Sequence, residues 1–169
     1  ENGLEQFTTT NAGCHRCHND NSGQDDGTEP FQLYNDQAYH NIGIPFNPEL
    51  PGVSKGDING VISHFSSRPA NGEPILPGFF KNPTVRNVGK GTELGLVKAF
   101  GHNGYFKSLE GIVHFYSTRD LLASCESLGL VDATEATALA NNCWPAPEFP
   151  GGAGNFADVG ILDLSEEEE

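Results

Sequence analysis

Cys14-His15-Arg16-Cys17-His18 is the stretch from which the rest of the chain is read. Two thiols three residues apart, with an imidazole directly after the second, form the pattern for covalent attachment of a c-type haem. Each thiol adds to one haem vinyl group, and a single helical turn presents both to one edge of the macrocycle. His18 then follows onto the iron as the proximal ligand. Two other chemistries use such thiols. A dithiol redox pair sits in a hydrophobic βα unit, whereas the flanks here are Thr, Asn, Gly and Asp. A zinc site needs a second close pair of Cys or His, and Cys125 and Cys143 lie far apart from each other.

Around that motif the chain of 169 residues is rich in turn formers, with 21 Gly, 11 Pro and only 36% hydrophobic residues. This length holds one domain, or one domain with a long appendage. Its own core is thin, and a covalently held haem would supply apolar mass. The formal charge of −14 excludes nucleic acid and anionic membrane surfaces as partners and favours a basic redox protein. All nine Lys and Arg fall between Arg16 and Arg119, and the last fifty residues carry acids only, in the plain reading a solvated surface. No apolar run reaches the length of a membrane span, and no signal peptide is present. An attached haem implies an exported chain, periplasmic or otherwise, whose signal has been removed. In such a compartment Cys125 and Cys143 form an even pair free to oxidise. Closing their loop of about eighteen residues stabilises the chain by roughly 3 kcal/mol on the chain-entropy model.

Residues 2–9 suit a short helix with Leu4 and Phe7 on one side, leading into the haem motif. Asn19 to Pro30 is a polar loop, and the stretch after it brings together Tyr34, Tyr39, His40, Ile42 and Ile44. Ile58 to Phe65 is a short apolar piece of helical character. Pro83 suits the first turn of a helix running towards Val88, with a Gly-Lys-Gly break after it. Ala99 to Gly104 reads as a tight loop. Ser108 caps a helix on which Leu109, Ile112, Val113 and Tyr116 share one face, while His114 points away towards solvent. Thr134 to Asn142 is an Ala-rich helix. Ser165 and the four Glu after it read as a helix start, with Glu168 at the capping-box position, which implies a native chain continuing past Glu169.

Several ordered motifs now stand together: Phe80-Lys81-Asn82-Pro83-Thr84-Val85-Arg86-Asn87, His102-Asn103-Gly104, and Ser108-Leu109-Glu110 with Val113, Phe115 and Tyr116. With Tyr39-His40-Asn41-Ile42-Gly43-Ile44-Pro45 and the haem motif before it, they resemble the C-terminal haem domain of the bacterial di-haem cytochrome c peroxidase and MauG family. The match runs from about residue 3 to Arg119, with a weaker echo at Leu162 to Glu169. The resemblance implies a mainly α, cytochrome c-like haem domain with long loops. It divides the chain into a haem domain at 1–119, a loop-rich extension with a disulfide at 120–164, and the opening turn of a terminal helix at 165–169. It also implies a periplasmic setting and one covalent haem c held by Cys14, Cys17 and His18. This chain departs from the family's complete enzymes, which carry two haem motifs where it has one. The half resembled is generally the electron relay, so the resemblance does not extend to an independent peroxidase. A second haem domain or another cytochrome subunit joins the redox protein as an expected partner. Calcium lies between domains in the family, and no residue here is assigned to it.

The upper face of the iron is the open question. The sequence has no methionine, which closes the usual relay ligand. Comparison of spacing with the family places Tyr116 where the peroxidases carry that methionine and MauG-like proteins a tyrosine ligand. A phenolate there favours ferric iron and lowers the potential. The alternative for Tyr116 is a core tyrosine whose hydroxyl bonds a propionate or backbone group. His102 is the rival ligand, His40 and His64 are more distant candidates, and His15 is the variable residue within the motif. Arg86 is a candidate partner for a haem propionate. Three functions stay open. One is an electron-transfer module with closed coordination. Another is a peroxidase-type enzyme in which His102 or a nearby carboxylate assists cleavage of hydrogen peroxide. The last is a haem-stabilised structural subunit of a larger assembly.

Overall fold

Turns set the course of this chain, and its regular elements are short. The computed structural model describes residues 2–8, 12–19, 33–57, 77–150, 159–162 and 164–165. In order, these residues form helix α1 (Asn2–Thr8), one 3-10 turn at Cys14–Arg16, strands β1 (Tyr39–His40) and β2 (Phe80–Lys81), and helices α2 (Val88–Glu93) and α3 (Leu109–Thr118). Strand β3 (Ala123–Ser124), a 3-10 turn at Cys125–Leu128, helix α4 (Glu135–Ala140) and strand β4 (Cys143–Trp144) follow. The expectation of a mainly α architecture is overturned. The longest helix has ten residues and the others six or seven. Helices of that length draw their stability from packing rather than from propensity, and a chain with 21 Gly and 11 Pro gives them little room to extend.

Two helix starts follow the sequence closely. Ser108 Oγ accepts the Gly111 N–H at 2.9 Å and opens α3, and Thr134 Oγ1 accepts the Thr137 N–H at 3.3 Å and opens α4. α2 does not. Asn87 takes the left-handed conformation, with φ of 59°, so the helix begins at Val88, runs through Gly89-Lys90-Gly91, and leaves Pro83 outside it. The expected helix at Ile58–Phe65, the loop from residue 20 to Pro30 and the Glu run after Ser165 lie outside the described residues.

The core forms where α3 meets the segment after it. Phe106, Phe115 and Trp144 are buried together, with ring centroids 5.0 Å apart for Phe106 and Phe115 and 5.3 Å apart, edge to face, for Phe115 and Trp144. Leu109, Ile112 and Tyr116 pack against this cluster from α3, as their spacing predicts, whereas Val113, expected on the same face, does not belong to it and Phe115, off that face, is fully buried. His114 does not face open solvent: it is half-buried, its ring 5.8 Å from that of Trp144. The Trp144 indole N–H donates to Thr118 Oγ1 at 2.9 Å, which satisfies its one polar atom. β3 and β4 pair in parallel, Ala123 with Cys143 and Ser124 with Trp144, and the Cys125–Cys143 disulfide closes the same segment. Arg119, at the end of α3, is buried and donates to the carbonyls of Ile42 and Val159, both at 2.7 Å. β1 and β2 pair antiparallel, Tyr39 with Lys81 and His40 with Phe80. Among the described residues, no helix is long and apolar enough to cross a membrane.

Candidate functional site

Gly13 adopts a positive φ of 63°, and the chain then closes into one tight turn, with the His18 N–H bonded to the Cys14 carbonyl at 2.9 Å. That turn carries Cys14 and Cys17, both half-buried and both free thiols. Burial raises the pKa of Cys14, and burial followed by the Asp36 carboxylate pushes Cys17 up to about 11. A dithiol oxidoreductase needs the opposite, a depressed thiol pKa, so the redox-pair reading loses support.

His18 Nδ1 lies 3.1 Å from the Tyr34 carbonyl and is its donor, which fixes the tautomer with Nε2 as the metal-binding nitrogen. The Pro83 carbonyl is a second backbone oxygen beside this ring, and burial lowers its pKa, keeping the imidazole neutral. Tyr34 is itself held, with the Phe7 ring edge-on at 6.3 Å and the Arg86 guanidinium 5.8 Å from its centroid. Arg86 thus stands beside the His18 support, with an exposed side chain.

Asn82 ties this turn to the small sheet. Its Nδ2 donates to the Cys17 carbonyl at 2.5 Å and to Asp36 Oδ1 at 3.2 Å. Asp36 Oδ1 also accepts the Ala38 N–H at 2.9 Å, and Asp36 Oδ2 pairs with His40 Nε2 at 2.6 Å. Cys17 Sγ, an Asp36 oxygen and a His40 nitrogen lie within 4.8 Å of one another, a metal-capable set by donor type. Its carboxylate, however, is already bonded to three partners.

From the other side α3 delivers Tyr116. Tyr116 is half-buried, and burial of its hydroxyl followed by the nearby Cys14 and Cys17 thiols raises its pKa far above the ordinary value. The hydroxyl is thus within electrostatic reach of both thiols. His102 is engaged differently. Its ring stacks on Phe80 at 3.5 Å and 9°, and its Nε2 is 3.5 Å from Glu148 Oε2, too long for a good hydrogen bond. Burial lowers the His102 pKa, and Glu148 opposes that shift. Glu148 is buried, anchored by the Gly56 N–H at 2.9 Å and by Asn103 Nδ2 at 3.3 Å. His15 is half-buried within the turn, and its Nδ1 is a buried atom with no hydrogen-bond partner. His64 lies outside the described residues.

The donor set fits a covalent haem: two free thiols on one turn, an imidazole oriented through Nδ1, and a half-buried phenol within electrostatic reach of the thiols. Asp36, Asn82 and Glu148 were not singled out from the sequence. Asn82 lay inside a quoted motif and could have been weighed; Glu148 lies 46 positions from His102, and no local pattern links the two.

No family model matches the chain. The methylamine utilization protein MauG of Paracoccus denitrificans (strain Pd 1222) is 30% identical over 117 residues, which is 69% of this chain and 27% of MauG. The chain therefore spans about a quarter of that relative's length. The diheme peroxidase BthA from Burkholderia thailandensis E264 is similar at 20% identity and a TM-score of 0.46, over 96% of this chain and 40% of BthA. A MauG-like protein associated with microbial copper homeostasis is similar at 18% identity and a TM-score of 0.44, over 99% of this chain and 49% of that one. Structural likeness at that level is too slight to fix an architecture.

Proposed function

We propose, from the premise that this chain belongs to the MauG/cytochrome c peroxidase family, that it is a haem-carrying electron-transfer domain of an exported, periplasmic protein. In this reading Cys14 and Cys17 would hold one haem c through thioether bonds, and His18 and Tyr116 would supply its iron ligands. Once bound, such a group supplies one-electron redox chemistry. The chain's own residues position and enclose it. The Tyr34 carbonyl orients His18, Asn82 and Asp36 hold the Cys17 backbone in place, and Arg86 would be the partner for a propionate. Tyr116, partly buried against the core, would as a ligand close the iron to water and small oxidants, the condition an electron relay needs. The phenol keeps its proton in the absence of a cation, and a ferric centre opposite would favour its release.

The observation that supports this reading most is the single turn that carries both free thiols and His18, whose Nδ1 is bonded to the Tyr34 carbonyl. The ferric spectrum tests it. A low-spin signal that added cyanide leaves unchanged is expected, and Tyr116→Phe should alter it. A variant spectrum identical to the parent's removes the phenol from the site. A bare polypeptide mass for the exported protein overturns the haem assignment as well.

A second reading, a peroxidase-type enzyme acting on hydrogen peroxide, draws on the His102–Glu148 pair as a buried acid–base couple. It requires a high-spin ferric signal that binds cyanide readily, and loss of peroxide turnover in Glu148→Gln with the haem retained.

A further inference from the structure

Charge is divided sharply along this chain. Pro77 to Lys107 holds five cations and one acid, a net of +4, and the remaining residues carry −18. Lys81, Arg86, Lys90 and Lys98 are exposed. Among them stand Leu94 and Leu96, 65% and 76% exposed. Local structure puts Lys90, Leu94 and Leu96 on one turn. Lys90 and Leu94 are one helical turn apart at the end of α2, joined by the Leu94 N–H bonded to the Lys90 carbonyl at 3.3 Å. The Leu96 N–H then folds back to the Gly91 carbonyl at 2.9 Å, so both leucines ride on the turn that closes the helix. Val97 turns inward against the core, and Lys98 emerges beyond it.

We propose that the end of α2 is a docking face for an acidic protein partner, with Leu94 and Leu96 as its apolar centre and Lys90, Lys98 and Arg86 as its basic rim. The proposal rests on the electron-transfer reading and names the chemistry of its partner, opposite in sign to what a net charge of −14 implies. An apolar centre ringed by charge is the usual anatomy of a transient interface, and the rim sets encounter rate and salt response. At physiological ionic strength the screening length is about 8 Å, so a docked surface senses the cations beneath it more than acids farther away. The face also adjoins the attachment segment. The Pro83 carbonyl lies beside His18, and the Arg86 guanidinium is 5.8 Å from the ring of Tyr34, whose carbonyl holds His18.

The test uses the complete haem-loaded protein with two redox proteins as probes, an acidic plant-type ferredoxin and a basic c-type cytochrome, titrated calorimetrically at about 20 and about 200 mM salt. Ferredoxin should bind at low salt and weaken by about tenfold or more at high salt. Lys90→Glu/Lys98→Glu and Leu94→Ser/Leu96→Ser should each weaken it by about tenfold, with unchanged thermal unfolding, since all four side chains are exposed. Binding that strengthens with salt, or that neither variant changes, overturns the proposal, because net charge or another surface then governs. Self-association that disappears in Leu94→Ser/Leu96→Ser overturns it in favour of a second copy. Solvent protection of Leu94 and Leu96 within the complete polypeptide overturns it in favour of an intramolecular neighbour. A normal haem spectrum with no ferredoxin binding defeats this face alone, whereas an absent haem defeats the functional reading beneath it.

Discussion

Removing the Cys125–Cys143 cross-link should cost this protein a fixed and calculable part of its stability. The bond closes a loop with a sequence separation of 18. On the chain-entropy model a loop of that size is worth about 3 kcal/mol, because the severed unfolded chain regains freedom that the folded chain never had. For a chain of this size that corresponds to a fall in Tm of about 6–12 °C. Cys125→Ala/Cys143→Ala is the better variant, since both positions are buried and serine would place unpaired hydroxyls there. The two lost sulfurs leave a small cavity, adding about 1–2 kcal/mol. Wild type with this bond alone reduced isolates the loop contribution. Urea unfolding is the assay. The midpoint should fall and the m-value should rise, because an uncrosslinked unfolded chain exposes more surface. Reduced protein that unfolds within about 1 kcal/mol of the oxidised form at an unchanged m-value refutes the reasoning. The bond would then be a bystander to packing already secured by Trp144.

Glu135 predicts a pH dependence. Burial raises its pKa above the ordinary value, so the folded state holds this proton more tightly than the unfolded state. Its contribution is therefore fully present below the ordinary glutamate pKa and is lost as pH rises through the folded one. Glu135→Gln should flatten the stability profile between the ordinary glutamate pKa and the raised folded one, and a profile that keeps its slope there in thermal melts assigns the effect to another group. Gly111→Ala should destabilise by about 1–3 kcal/mol, because its new methyl meets Glu135 Oε1 and lies 3.0 Å from Ser108 Oγ. A double-mutant cycle with Glu135→Ala should recover most of that loss, and strict additivity would show that the clash is not the cause. Phe115→Ala, at a fully buried ring, should cost about 3–5 kcal/mol in denaturant unfolding, and a loss below about 1 kcal/mol would mean that this core is not packed around it.

The parts of this molecule legible in its sequence are those with a local cause. The Cys14–His18 turn, the Ser108 cap, the start of α4 near Thr134 and the pairing of two spare cysteines each follow from chemistry within a few residues or from parity. The left-handed Asn87 is also local, but asparagine tolerates that conformation without demanding it, so the start of α2 was misplaced. His114 was sent to solvent by helical arithmetic alone. Its actual surroundings depend on Trp144, thirty positions on, and no period within α3 contains that information. The architecture failed for a related reason. Family resemblance gave motifs in the right order, while the amount of helix between them depends on turn-forming residues that motifs do not record. At the candidate site, the turn that carries two thiols and His18 has a local cause, whereas Asp36, Asn82 and Glu148 act through folded distances.

The aromatic core of this protein is built from both sides of Arg119, with Phe106 and Phe115 before it and Trp144 after. A gene cut at that arginine would therefore yield a fragment with a greasy wound where the indole belongs, prone to clump rather than to mature. A shortened chain meant to keep the Cys14–His18 turn folded should therefore run at least through Glu148, whose carboxylate bonds Gly56 and Asn103.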